Sequence, residues 1–343
     1  MTAPSSSELR FVKTTWSNIA AENGGPMLAT VNPLITNSAM NNVWDHVLSD
    51  QRASGLTTRR KLGLKIHQDD TAGYLATARF GVEPTLGADV VRIFACAAAA
   101  DEYEDDLTGS ERKYCGGVLV NAVTAGAQAL VVDVRLAACT GDIQDGDTIY
   151  LTDKYTPDGT GNGEYLTVNG APTVSGTQLT IATTEQIANS YAAYSGGSGG
   201  KVSAVMTHGT VQAEFSSFTQ SRASGYDIST YPLILNNMGT IDDVITLTFA
   251  DATTFTAASA RGLTLASGSK GSDYSPLHPV FAKSLFKLEA AGWNGAVAHQ
   301  AGDTVSFALA AAVAYLWEER IVPAACPPLS GNRVILLSTS EGL

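Results

Sequence analysis

The sequence predicts an all-β fold made of several small antiparallel β-sandwich or β-barrel domains. Apolar and polar residues largely alternate in segments such as 164–168, 178–183 and 244–249, which are rich in β-branched and aromatic side chains. Similar segments recur along the 343 residues, separated by clusters of Gly, Ser, Asn and Pro. Neighbouring strands joined by loops too short for a helical crossover must pair antiparallel, so we expect several small β-rich units.

The first expected unit covers residues 1–115 and is interpreted as a β-sandwich. Segments 10–13, 61–67 and 89–95 have the composition of strands. Segment 43–48 is compatible with a helical turn or with a strand edge. This unit is therefore predicted from scattered strands.

The second expected unit covers residues 116–210 and is interpreted as a small β-barrel or sandwich. Segments 129–134 and 146–151 add two strands to the pair 164–168 and 178–183. Asn169-Gly170 follows the third of these strands, and this pair is well suited to a turn with positive φ. We expect a hairpin or a slightly longer β-turn-β at this place.

The third expected unit covers residues 211–343 and is interpreted as an immunoglobulin-like sandwich. Its strand candidates lie at 211–218, 233–235, 244–249, 304–307 and 334–337. Segment 308–317 is rich in alanine, so its helical propensity competes with this reading, and it is interpreted as strand.

The net charge and the composition limit the classes of molecule that this chain is expected to bind. The 21 Lys+Arg and 33 Asp+Glu give a formal charge of −12, which repels both a phosphate backbone and an anionic membrane. No nucleic-acid partner is expected. The one basic stretch, Arg59-Arg60-Lys61 with Lys65, has no interleaved aromatic residues and is interpreted as a solvated turn and strand face.

Targeting signals are not expected either. Residues 1–5 do not begin a basic segment followed by an apolar core, which argues against a secretory signal. The sequence has no apolar run of about 18 residues, so no membrane insertion is expected. Assembly in a reducing cytoplasm is the corresponding prediction.

The residues that commonly carry chemistry form no convincing group. Four cysteines without a CxxC pair are interpreted as small buried hydrophobes. The histidines show no spacing typical of zinc ligands, and His67-Gln68-Asp69-Asp70 is interpreted as a strand end followed by a polar turn. The five histidines are His46, His67, His208, His278 and His299. We therefore predict no catalytic, cofactor-binding or metal-binding residue, and no cofactor.

Weaker patterns have simpler structural explanations. Segment 196–200 matches the Gly-x-Ser-x-Gly elbow of serine hydrolases, but its glycine-rich flanks favour a flexible loop. The acidic stretch 101–106 is interpreted as a solvated loop. Segment 142–147 lacks the full pattern of a calcium loop. The tryptophans are expected in a core or an interface. They are Trp16, Trp44, Trp293 and Trp317.

Short motifs at both ends and in the middle of the chain are similar to segments of a known group of proteins. They are AAGWNG at 290–295, AGDTVSF at 301–307, WEERIVPA at 317–324, SGNRV at 330–334, and the segments 226–233, 237–240 and 8–15. Together they resemble tailed-bacteriophage virion structural proteins. The resemblance implies a multi-copy tail or baseplate component built from small β-domains, and it implies no catalytic residues. Residues 16–58 match poorly.

The expected function is therefore that of a non-enzymatic structural component of a phage tail or baseplate, located in the virion and assembled in the host cytoplasm. It would self-associate and dock onto neighbouring tail proteins, and the habit of the resembled proteins suggests a trimer or hexamer. One alternative is a tail-tip protein that binds a receptor or a host surface glycan. Another is a virion-associated polysaccharide hydrolase, which would need a pair of carboxylates in a cleft.

Overall fold

The computed structural model describes residues 8–36, 39, 42–69, 75, 77–157, 159–329 and 332–341. Strand accounts for 41% and helix for 7% of the structure, and the sheets are antiparallel. The predicted all-β class is thus confirmed. Among the described residues, no helix is both long and apolar enough to span a bilayer.

The strands are numbered in chain order. They are β1 Leu9–Lys13, β2 Leu56–Ile66, β3 Thr77–Val82, β4 Val90–Ala95, β5 Lys113–Leu119, β6 Ala129–Asp133, β7 Thr148–Thr152, β8 Gly163–Thr167, β9 Thr173–Ser175, β10 Gln178–Ala182, β11 Lys201–His208, β12 Glu214–Gln220, β13 Ile234–Leu235, β14 Asp243–Phe249, β15 Thr254–Ser259, β16 Gly268–Ser269, β17 Phe286–Lys287, β18 Thr304–Ala310, β19 Val313–Val322 and β20 Leu336–Glu341. The α-helix α1 covers Ser49–Ser54, and short 3-10 helices cover Ala20–Glu22, Ala99–Asp101, Glu104–Asp106, Ala137–Cys139 and Ala290–Gly292.

A sheet of 13 strands organises the molecule. Its main path is β1-β2-β19-β4-β5-β11-β3-β20, and β6, β7, β8, β9 and β10 branch from it. The long strands β2 and β19 pair along ten residues, from Lys65 opposite Val313 to Leu56 opposite Val322. Because both faces of this ladder are covered, β2 is buried continuously over its second half instead of alternating.

The two faces of the β2–β19 ladder meet different cores. Leu64 and Leu316 belong to a cluster that also contains Phe80 of β3. On the opposite face, Val12 and Tyr315 belong to the core of the C-terminal region. The central ladder therefore joins two cores.

The middle unit has a core of its own, lined by strands in the order β9-β10-β6-β5-β11-β7-β8. An isolated bridge between Val168 and Thr183 links the two arms of this order, but the described strands form no closed barrel. The predicted turn at Asn169-Gly170 is confirmed, because Gly170 has φ of +81°. The tighter hairpin lies further on, where β9 and β10 pair around Gly176, which has φ of +63°.

The C-terminal region contains a five-stranded sheet, β12-β18-β14-β15-β16, and the short pair β13-β17. Aromatic rings fill its core; Trp293 packs edge-on against Tyr226 and Phe249, with ring centroids 4.8 and 5.6 Å apart. Gly292 is required beside this cluster, because a Cβ there would lie 2.5 Å from the Tyr226 ring. The specifically immunoglobulin-like arrangement stays a prediction.

Pairing crosses the expected boundary between 210 and 211. Strand β19, Val313–Val322, pairs with β2 and β4, and β20, Leu336–Glu341, pairs with β3. The interpretation of 308–317 as strand is confirmed by β18 and β19. Strands β19 and β20 nevertheless complete the sheet of the N-terminal region, because strand partners are chosen by long-range packing that local pattern does not encode.

Candidate functional site

The free edges of the sheets are the first candidate, because an unpaired strand edge is a template for another chain. Among the described residues, β1 is covered by the segment that follows it. Lys13 N donates to Pro33 O at 2.8 Å, and Ile35 N donates to Phe11 O at 2.8 Å. This edge is closed by the chain itself.

Two further edges are blocked by side chains or by backbone shape. Beside β8, the Glu164 carboxylate accepts from Ala188 N at 2.7 Å, and Thr167 N donates to the Glu185 carboxylate at 2.7 Å. In β12 the register shifts between Ser216 and Thr219, a bulge that bends an edge away from a partner. Strands β9 and β16 are only three and two residues long.

The edge of β20 has none of these protections within the described residues. Four consecutive aliphatic residues, Val334, Ile335, Leu336 and Leu337, all remain half-buried. A strand with neighbours on both sides would bury at least one face completely. We call these four residues together with Ser338 the terminal edge.

Backbone groups of the terminal edge point outward. Glu83 N donates to Ile335 O at 3.0 Å, which makes these two residues a hydrogen-bonded pair of the antiparallel ladder. Hydrogen-bonded and non-hydrogen-bonded pairs alternate, so the backbone N–H and C=O groups of Leu336 and Ser338 are directed away from β3. Together with the adjoining aliphatic side chains, they offer both polar and apolar contacts to a further strand.

Exposed tyrosines lie beside the terminal edge. Tyr165 is 42% exposed, and its hydroxyl donates to Thr339 Oγ1 at 3.2 Å. Tyr155 is 60% exposed, and the Arg333 guanidinium lies 4.1 Å from its ring centroid. Such rings bring large contact area at low entropic cost, as is common in interfaces.

A separate cavity of about 480 Å³ opens on the C-terminal region. Buried Tyr226 and Trp293 line it together with half-buried Tyr231 and exposed Asp227 and Asn294. The Ser229 and Thr230 hydrogen bonds lower the pKa of Asp227 to about 2. This cavity therefore combines aromatic surface with a permanently ionised carboxylate, a combination suited to a polar ligand with one apolar face.

The basic stretch does not form a solvated face. Arg59 and Arg92 both donate to the Glu319 carboxylate, at 2.8 and 2.6 Å, and Lys113 lies 3.6 Å from it. Although burial acts to raise it, the pKa of Glu319 is lowered by its hydrogen bonds with Arg92 and Arg59. The solvated interpretation is wrong because these partners lie on strands remote in sequence.

The two lysines of the stretch are also buried. Lys61 donates to Ala100 O at 3.3 Å, to Glu102 O at 2.9 Å and to Ala99 O. Burial lowers its pKa. Burial likewise lowers the pKa of Lys65 to about 8, with Thr240 O as its acceptor at 3.2 Å. These side chains hold loops against the central ladder.

The acidic stretch 101–106 is only partly solvated. Glu102 is buried and accepts from Trp317 Nε1 at 2.6 Å and from Ala98 N at 3.0 Å. Glu104 accepts from Asn23 at 2.6 Å. Asp101, Asp105 and Asp106 are exposed as expected. The prediction is therefore wrong for Glu102, which has a structural role that spacing alone does not reveal.

The remaining residues singled out in the sequence do not converge. Trp293 and Trp317 are buried and Trp16 and Trp44 half-buried, in agreement with packing roles. Cys115 and Cys139 are buried, whereas Cys96 and Cys326 are only partly buried. Asp70, residues 1–5 and residues 330–331 lie outside the described residues. Within the described part of the chain, no group of three or more His, Cys, Asp or Glu side chains could hold a metal ion.

Comparisons of the chain with protein-family models, with curated proteins and with solved structures gave no match.

Proposed function

We propose that this chain is a non-enzymatic structural component of a bacteriophage tail or baseplate, which acts by self-association and by docking onto neighbouring tail proteins. The virion assignment rests on the sequence motifs that resemble tailed-phage structural proteins. The mode of action rests on the all-β architecture and its edges.

The observation that carries the proposed mode of action is the difference between β20 and the other edges. The edges of β1, β8 and β12 are covered, blocked or bulged, and β9 and β16 are very short. The terminal edge combines outward-directed backbone groups with four half-buried aliphatic side chains. Natural β-proteins protect edges that must stay single, so an unprotected edge favours contact with a partner chain.

A second copy is the proposed occupant of the terminal edge. A closed ring of three or more copies needs a heterologous contact, in which the terminal edge of one copy meets a different surface of the next. Tyr155 and Tyr165 would extend this contact beyond the backbone pairing. Ring closure leaves no terminal edge free, which prevents open-ended aggregation, and a trimer or hexamer is the proposed product.

The terminal edge can be tested by removing one outward donor. Ser338→Pro eliminates an N–H that points away from β3, and proline is tolerated on the free side of an edge strand. Ser338→Ala is the matched control, since it alters the side chain and keeps the N–H. Analytical ultracentrifugation should show a defined oligomer for wild type and for Ser338→Ala, and a monomer with unchanged circular dichroism for Ser338→Pro.

A wild-type chain that stays monomeric at all concentrations, or a Ser338→Pro variant that assembles like wild type, would contradict this mode of action. The virion location has its own test. Electron microscopy of intact particles carrying a labelled copy of this chain should place the label on the tail or baseplate, and particles without label there would contradict the assignment.

The aromatic cavity favours a second candidate function, the binding of a host surface glycan at the tail tip. Sugars stack their apolar faces on aromatic rings and form hydrogen bonds with carboxylates and amides, and Tyr231, Asp227 and Asn294 offer these groups. A glycan-array signal lost in Tyr231→Ala and kept in Tyr194→Ala, which changes a tyrosine outside both the cavity and the terminal edge, would support it. Equal signals from the two variants would count against it.

A further inference from the structure

A second cavity lies over one face of the β2–β19 ladder, beneath the segment that leads into α1. Its volume is about 280 Å³, and Trp44, Arg60 and Arg320 are among its lining residues, with Asp45 at its wall. This volume is near the lower end of the roughly 300–1,000 Å³ that is usual for ligand pockets. The cavity therefore suits a small ligand.

Three polar atoms near this cavity are buried and have no hydrogen-bond partner among the described residues. They are Trp44 Nε1, Arg60 Nε and Glu318 Oε2. Arg60 is 8% and Glu318 is 2% exposed. Buried polar atoms in proteins are nearly always hydrogen-bonded. The Trp44 and Glu318 side chains interact with each other, so Arg60 Nε is the atom that points to a missing partner.

The missing partner is not the neighbouring carboxyl group. Glu318 lies directly opposite Arg60 in the ladder, yet the two side chains form no ion pair within the described part of the chain. Burial raises the pKa of Glu318 to about 7, and the nearby Trp44 indole offsets part of that rise without reaching hydrogen-bond geometry at Nε1. Near neutral pH a large fraction of Glu318 is thus protonated, and it does not neutralise Arg60.

The edge of the Arg60 guanidinium that carries Nε and Nη2 has few hydrogen-bond partners among the described residues. Nη1 donates to Arg59 O at 3.2 Å. Among the described residues, Nη2 has only a 3.4 Å contact with the Asp45 carboxylate, and Nε has no hydrogen-bond partner. The Asp45 side chain is 87% exposed. A carboxylate held so loosely shows which chemical group this edge accepts, and a ligand can replace it.

We propose that this cavity binds a small oxyanion, a carboxylate or a phosphate group, on the Nε and Nη2 edge of Arg60. Arg320 lines the same cavity; its Nε is held by Asp89 at 3.0 Å, so its charge is fixed in place. This site is independent of the terminal edge and of the proposed role in a virion.

Isothermal titration calorimetry of the full chain at low salt, with three probes, tests the site. Sodium glucuronate carries a carboxylate, inorganic phosphate carries the alternative oxyanion, and glucose is a neutral control. Saturable binding of glucuronate or phosphate without binding of glucose is expected, and the preferred anion identifies the source of the oxyanion. Absence of binding by both anions, or equal binding of glucose, would overturn the proposal.

Two variants move the affinity in opposite directions. Arg60→Lys keeps the charge and removes the two-pronged edge, so the affinity for the bound anion should fall by about tenfold. Asp45→Asn removes the competing carboxylate, so the affinity should rise by about threefold. Asp50→Asn on α1 is the matched control, because it makes the same change of net charge outside the cavity lining.

The Asp45→Asn result stands by itself if Arg60→Lys fails to fold. An unchanged or weaker affinity in Asp45→Asn, or an equal rise in Asp50→Asn, would show that the anion is bound elsewhere or through net charge alone. Either outcome contradicts the assignment to Arg60.

Discussion

Two neighbouring residue pairs of the β2–β19 ladder place an arginine opposite a glutamate. The two pairs differ in whether the opposed side chains form an ion pair. Arg59 and Glu319 form an ion pair at 2.8 Å, whereas Arg60 and Glu318 on the other face form none within the described residues. Successive residues of a strand point to opposite faces, so the same local sequence meets two environments. The arginine–glutamate pair is structural on the first face, whereas Arg60 and Glu318 do not pair with each other on the second.

The difference teaches that the surroundings, and not the residue types, decide the role of a buried charge. Arg92 and Lys113 come from β4 and β5 to share the Glu319 carboxylate. On the opposite face β4 instead places the apolar residue Ile93 beside Glu318, and Glu318 forms no ion pair within the described residues. A cavity with unpaired donors remains on that side.

The largest expected effect is the loss of the shared carboxylate. Glu319→Ala leaves Arg59, Arg92 and Lys113 without their common partner, and breaking a buried ion pair typically costs about 3–5 kcal/mol. Urea unfolding should therefore show a free energy of unfolding lower by about 3 kcal/mol or more. A loss below about 1 kcal/mol would mean that the two faces do not differ as described.

The second effect is the pH dependence of the free energy of unfolding that Glu318 produces. The pKa of Glu318 is raised by burial from 4.5 to about 7, so between these values the folded chain binds more protons than the unfolded chain. The stabilising effect of protonation is present at low pH and is lost as pH rises through about 7, which amounts to about 3 kcal/mol. Glu318→Gln should remove this part of the pH dependence, as measured by urea unfolding between pH 4.5 and 8.

Glu319→Gln serves as its control, because the pKa of Glu319 is lowered and not raised. The free energy of unfolding of the Glu319→Gln variant should still decrease between pH 4.5 and 7, because Glu318 is unchanged in it. If the slope of stability against pH is the same in wild type and Glu318→Gln, the assignment of that slope to Glu318 is incorrect.

The smallest effect compares packing on the two faces. A Cβ on Gly63, which lies on the Lys61 face, would be 2.3 Å from Val313 Cγ1 and 3.0 Å from Val12 Cγ2. Gly63→Ala should lower the free energy of unfolding by about 1–3 kcal/mol. Thr58 lines the cavity on the other face, so Thr58→Ala should change it by no more than about 0.5 kcal/mol. Equal losses in thermal or urea unfolding would contradict the contrast.

Much of the fold could be predicted from local pattern. Alternation and composition correctly locate strands such as β10 and β14, and Asn169-Gly170 correctly locates a turn, because these signals depend on residues close in sequence. The choice of partner strands could not be predicted in this way. Arg59 and Glu319 are 260 residues apart, and nothing local indicates that they meet.

The candidate sites could not be predicted from the sequence for the same reason. The half-buried segment Val334 to Leu337 has the composition of an ordinary strand, and only the absence of a second neighbouring strand among the described residues reveals its exposed backbone. From the sequence, Arg60 is interpreted as part of a solvated basic face. Its burial and its unpartnered Nε depend on Trp44 and on β19, which the sequence cannot bring together by spacing.

Hydrogen–deuterium exchange across a concentration series tests the central claim, assembly through the terminal edge, most directly. The amides of Leu336 and Ser338 point away from β3 and should exchange fast in dilute monomer and become protected as the concentration rises. Slow exchange requires a hydrogen-bond acceptor from another copy. Equally fast exchange of both amides at every concentration would contradict assembly through this edge.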